Sequence, residues 1–179
     1  MDTINKLETK VVQWYKDVPH LPQEVRKWLA VNMWWLTLIG VILGGIGVIG
    51  LIAATFFAGA LLSVYGGVAG AAVGGLIFVV SLLAIAFLIV TVVLGAIAVT
   101  PLKSMQKKGW TLLFMIVLVR IAHVAVTFLF SFNLIGLVWA LVATAVGAYF
   151  LFEIRDFYGK TSPILKAATS PVGQKANTK

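Results

Sequence analysis

Charged residues cluster near the two ends of the chain and around residue 105, and long apolar runs separate these clusters. From Trp34 to Val99 there is no charged residue at all. One helical crossing of a bilayer needs about 20 residues, so this run holds two helices, placed at 34–57 and 70–99. The glycine-rich stretch "FAGALLSVYGGVAG" lies around the turn between them. The second of these helices is long enough to tilt. A third apolar segment runs over 110–131, "SFN" makes a tight turn, and a fourth segment covers 134–154.

The pattern before residue 34 is different. Ile4, Leu7, Val11, Trp14 and Val18 recur at helical spacing with Lys and Glu between them, which predicts an amphipathic helix. "PHLPQEVRKWL" follows, with Pro22 suited to the first turn of a second short helix. Residues 1–33 therefore read as a helical segment lying on the membrane surface or packed on the ends of the membrane helices. Trp14, Tyr15, Trp28, Trp34 and Trp35 are residues of the kind that settle at headgroup level. Residues 155–179 form a basic tail rich in Ser, Thr, Lys and Pro, expected to be largely disordered beyond about residue 160. The expected fold is all-α: an integral membrane four-helix bundle preceded by an amphipathic segment on the cytoplasmic side.

Composition agrees with this class. Of 179 residues, 61% are hydrophobic and 11% charged, whereas a soluble domain carries about a quarter charged residues. No short apolar core with a cleavage site opens the chain, so the first hydrophobic segment is expected to be retained. The net charge of +8 would suggest nucleic acid in a soluble protein. In a membrane protein it reflects orientation and attraction to anionic lipid headgroups. Thirteen of the 14 basic residues fall in the three segments that four crossings place on one side. By the positive-inside rule both termini are then cytoplasmic. Nucleic acid is not an expected partner; the bilayer is.

Eleven of the 17 glycines lie between positions 40 and 75. Gly40 and Gly44 are spaced for close helix approach, as are Gly66, Gly70 and Gly74, and the fourth helix repeats the device with Gly136, Ala140, Thr144 and Ala148. Such seams serve packing within the chain, or association with a second copy or another membrane protein.

The exception to the apolar pattern is "TLLFMIVLVRIAHVAVTFLF", residues 111–130. Arg120, His123, Thr127 and Ser131 fall within about 80° of arc on one helix. A polar stripe is costly toward lipid and should face the bundle interior or water. Glu153, which leans back toward the membrane centre from the fourth helix, is a candidate partner for Arg120, as are Thr144 and helix carbonyls. Three readings follow: a structural network that fixes helix register, an arginine reaching for phosphate headgroups, or a transport site in which Arg120 holds an anion and His123 titrates. His20 reads as an interface histidine.

Few enzyme classes survive. Cysteine is absent, which excludes thiol catalysis and Cys-ligated metals. There is no GxSxG, HExxH or P-loop and no pair of carboxylates within a crossing. Two distant histidines without a carboxylate cluster do not predict a metal site, and no cofactor is expected. The leading expectation is a non-enzymatic scaffold, partner-binding or self-associating membrane subunit. The alternative is a small transporter or channel subunit using the stripe.

Two phrases, "KKGWTLLF" before the third helix and "AYFLFEIRDFYGK" closing the fourth, resemble uncharacterised small bacterial membrane proteins with a Lys-Gly-Trp entry and an Ile-Arg-x-x-Tyr exit. The resemblance implies a bacterial inner-membrane protein and no activity. Physically, Lys107, Lys108 and Trp110 are expected to anchor one helix end, and Arg155, Phe157 and Tyr158 the adjacent one.

Overall fold

The computed structural model describes residues 19–159, apart from the side chain of Ser131. Among them, four helices follow one another: α1 (Gln23–Tyr65), α2 (Gly67–Lys103), α3 (Lys107–Ser131) and α4 (Leu134–Glu153), closed by a short 3₁₀ turn, Arg155–Phe157. Each is long and apolar enough to cross a membrane. Consecutive helices pack against each other. The amphipathic pattern of residues 4–18, with Trp14, and the tail from 160 onward lie outside the described residues.

The separate short helix expected after Pro22 is not formed. Residues 23–33 are instead the first turns of α1, which runs 43 residues without a break. Pro22 sits just before the first turn, and Arg26 N–H reaches its carbonyl at 3.1 Å. Beyond it no proline interrupts the helix. In an apolar surround the backbone has no alternative hydrogen-bond partner, so even the glycines at 40, 44, 45, 47 and 50 stay helical. The same logic governs the hydroxyls: Thr37, Thr55, Thr91 and Thr144 each donate to the carbonyl four residues back.

Helix lengths are unequal. α1 and α2 have 43 and 37 residues, about 65 and 55 Å at 1.5 Å per residue. α3 and α4 have 25 and 20, about 38 and 30 Å. The α1–α2 hairpin thus extends well past the α3–α4 turn and exceeds a hydrocarbon core of about 30 Å. Its tip is made tight by Gly67 at φ +56° and by Gly70, whose missing side chain leaves room for the Leu62 carbonyl. The α3–α4 turn uses Phe132 in the left-handed region, φ +46°. Asn133 then caps α4, its side chain accepting from Gly136 N–H at 2.9 Å.

Burial is concentrated where the lysines are. The core joins Ala30 of α1, Ala98 and Leu102 of α2, Trp110 and Phe114 of α3, and Leu151, Phe152, Ile154 and Tyr158 at the end of α4. Trp110 stacks on Phe114 with the planes 7° apart, and Phe152 meets both rings edge-on. Toward the opposite end large apolar side chains such as Ile49, Phe57 and Val68 are exposed.

Candidate functional site

The stripe is not gathered round an interior space. His123 lies flat against Phe87 of α2, ring centroids 5.1 Å apart and planes 23° apart, so it is part of the α2–α3 contact. Arg120 and Thr127 are exposed on the surface of α3. Ser131 ends the helix. Thr144, the other candidate partner, is buried and spends its hydroxyl on Ala140 of its own helix, at 2.7 Å.

Glu153 does not pair with Arg120. It is fully buried at the basic end, where Arg26 Nε stands 2.7 Å from its Oε2 and His20 Nδ1 stands 3.0 Å from its Oε1. Arg26 Nε also donates to the Glu153 backbone carbonyl at 2.9 Å, its Nη2 lies 3.8 Å from Asp156 Oδ2, and its guanidinium stacks over Phe157. One side chain from the first turn of α1 therefore neutralises a buried carboxylate and caps a carbonyl at the end of α4, where helix carbonyls lack partners. The pairing differs from the expectation because α1 begins eleven residues earlier than the predicted first crossing, which brings Arg26 level with Glu153.

Other contacts close the same end. Trp110 Nε1 donates to the Leu151 carbonyl at 2.8 Å, and the Tyr158 hydroxyl donates to the Ala30 carbonyl at 2.8 Å. Tyr149 donates to the Pro19 carbonyl at 2.8 Å, so residues 19–22 lie across α4. Trp110 and Tyr158, expected at headgroup level, are both turned into the bundle end. They are 1% and 5% exposed, because each polar tip finds a carbonyl inside the bundle end. Burial pushes the Tyr158 phenol well above its ordinary value. Trp28 and Trp35 are exposed, while Trp34 is partly buried and takes the Lys103 ammonium 5.4 Å above its ring.

The Lys-Gly-Trp entry and the Ile-Arg-x-x-Tyr exit meet here. Arg155 stacks over Trp110 at 5.8 Å, and Gly159 N–H donates to the Met105 carbonyl at 3.1 Å. Gly109 is required by a close approach: a Cβ there would stand 2.7 Å from Leu102 N. A cavity of about 230 Å³ opens between the two phrases, lined by Lys107, Trp110, Arg155, Asp156, Tyr158 and Gly159.

No family model, curated protein or solved structure matches the chain. Function must therefore be argued from geometry.

The small-residue positions divide. Gly44 admits Val92, 2.7 Å from where its Cβ would be, and Gly74 faces Leu62. Gly66 and Gly70 build the hairpin turn. Gly40 meets nothing within 4 Å, and the atoms nearest a Cβ at Gly136 belong to Asn133; Ala140 accepts the Thr144 hydroxyl through its carbonyl. Gly95 was missed: it admits Val41 at 2.8 Å, and its isolation from the glycine cluster hid it. The Arg26–Glu153 pair was missed too, although "FLFEI" was a signal, since a carboxylate flanked by apolar residues on both sides calls for a buried cation. Among the described residues no group of His, Asp and Glu could hold a metal.

Proposed function

We propose that the chain is a non-enzymatic integral membrane subunit of a bacterial inner membrane, with both termini cytoplasmic, that works by packing laterally against other membrane helices. The observation that carries this reading is Arg120. Its place is on the exposed surface of α3 rather than in a cleft between helices, so the group that meets it comes from outside this chain. The exposed lysines at the basic end, Lys103, Lys107 and Lys108, suit contact with anionic headgroups and hold the orientation. A transport path through one chain has less support, because Arg120, His123 and Thr127 do not line a common space.

The absence of cysteine makes a direct test simple. Single cysteines at the exposed positions 125 on α3 and 141 on α4 would carry a photo-crosslinker in native membranes. Discrete products larger than the chain are expected from at least one face. A lone monomer from both faces, with cysteines at 123 and 127 labelled by an impermeant thiol reagent, would reject this reading in favour of a water-filled path.

A further inference from the structure

Arg120 stands near the middle of α3, about 20 Å from its Lys107 end and about 17 Å from its Ser131 end at 1.5 Å per residue. Mid-span is the costliest depth for an arginine, and such residues pair or reach water. Neither relief is close at hand. The side chain leans toward the helix N-terminus, yet it covers only part of the distance to headgroups on that side. Nor do the described residues supply an anion at this depth: no Asp or Glu occurs between Glu24 and Glu153. Glu153 is held by Arg26 and His20 at the basic end, and Asp156 lies beside Arg26 there.

The same count argues against a second copy as the source of a counter-charge. Every acidic residue of another copy likewise lies before residue 25 or after residue 152, and the described ones, Glu24, Glu153 and Asp156, stand at or beyond helix ends. We propose that the Arg120 face of α3 seats a transmembrane helix of a different membrane protein, one carrying an aspartate or glutamate in the middle of its span. Beside Arg120, Thr127, about 20° away round the helix, and Ile121, about 100° away, are exposed as well, so a helix can lie against this side while a guanidinium and a carboxylate join in two parallel hydrogen bonds. This proposal rests on the reading of the chain as a laterally associating subunit.

The test reconstitutes the full chain in neutral phosphatidylcholine vesicles with a synthetic Leu/Ala transmembrane peptide bearing one central Asp. Association is read by energy transfer between donor-labelled protein and acceptor-labelled peptide. The Asp peptide should bind about tenfold more tightly than the same peptide with Leu at its centre. Arg120→Leu should abolish that preference and Arg120→Lys should keep part of it. Equal binding of the Asp and Leu peptides to the unaltered chain would overturn the proposal, as would a preference that survives Arg120→Leu. Energy transfer between two labelled copies is the further arm. If Arg120→Leu disperses it, the occupant is a second copy and the proposal falls. Crosslinked products in native membranes that persist in Arg120→Leu would sink the Arg120 site while leaving lateral association standing. The absence of any product would sink both.

Discussion

Removing the guanidinium of Arg26 should be the most damaging single change at the basic end. Glu153 has no solvent exposure, and Arg26, only 19% exposed, is 2.7 Å from its carboxylate. Arg26→Leu leaves that charge buried beside the half-exposed His20 ring, 3.0 Å away. Breaking a buried pair in this way costs about 3–5 kcal/mol. The loss also uncaps the Glu153 carbonyl, which adds about 1 kcal/mol. Glu153→Gln should cost less, because the amide still accepts from Arg26, and Arg26 retains Asp156 at 3.8 Å. The double variant Arg26→Leu with Glu153→Leu removes both charges and should recover most of the loss, since an apolar pair of similar volume often equals a buried ion pair. Reversible unfolding in mixed micelles, followed by tryptophan fluorescence and helicity, gives the stabilities of the parent, the three variants and the Glu153→Leu single that closes the cycle. The reasoning is refuted if Arg26→Leu stays within about 0.5 kcal/mol of the parent, or if the double variant is no more stable than the single.

Other consequences are smaller and local. Trp110→Phe keeps the ring stack and removes the bond to the Leu151 carbonyl, so it should cost about 1–3 kcal/mol in the same unfolding assay; no change would mean that water or another donor replaces the indole. Gly109→Ala drives a Cβ to 2.7 Å from backbone and should cost about 1–3 kcal/mol, whereas Gly40→Ala, with open space around it, should be near neutral. Asn133→Ala removes the α4 cap and should cost about 1 kcal/mol. Tyr158 supplies a pH test. Burial raises its folded pKa above the unfolded value of about 10, so the phenol loses its proton more readily when unfolded. Its contribution is then unchanged below about pH 10 and falls as pH rises beyond it; Tyr158→Phe should flatten that part of the alkaline stability profile.

The number of helices and their turns could be read directly, because charge exclusion over 34–99 and the Lys-rich loop act at the scale of whole segments. The turn at Gly66 and Gly67 fell within the stretch marked for it. Finer features depended on depth, which sequence reports poorly. Reading 23–33 as a separate element lowered Arg26 out of register with Glu153, and the carboxylate was then offered to Arg120, roughly 12 Å away along the axis. Trp110 illustrates the other failure. A tryptophan next to lysines at a helix entry suits a headgroup anchor by composition. Only the arrival of the Leu151 carbonyl at 2.8 Å makes burial cheaper than exposure, and that carbonyl is contributed from the far end of α4.

Arg120 was visible in the sequence as an anomaly, but its direction was not. Helical periodicity groups it with His123, and cost arguments turn a polar stripe inward. Packing separates the two: the imidazole is flat enough to stack on Phe87 and is drawn into the α2–α3 contact, while the residue three positions earlier stays outside it. An inward arginine would need an acceptor at its own depth, and among the described residues every carboxylate stands at or beyond a helix end. The basic end already uses its buried carboxylate to tie α1 to α4. What the described residues leave exposed midway along α3 is a cation with no anion among them at its own depth, and that mismatch is what the proposed contact with a second membrane protein would relieve.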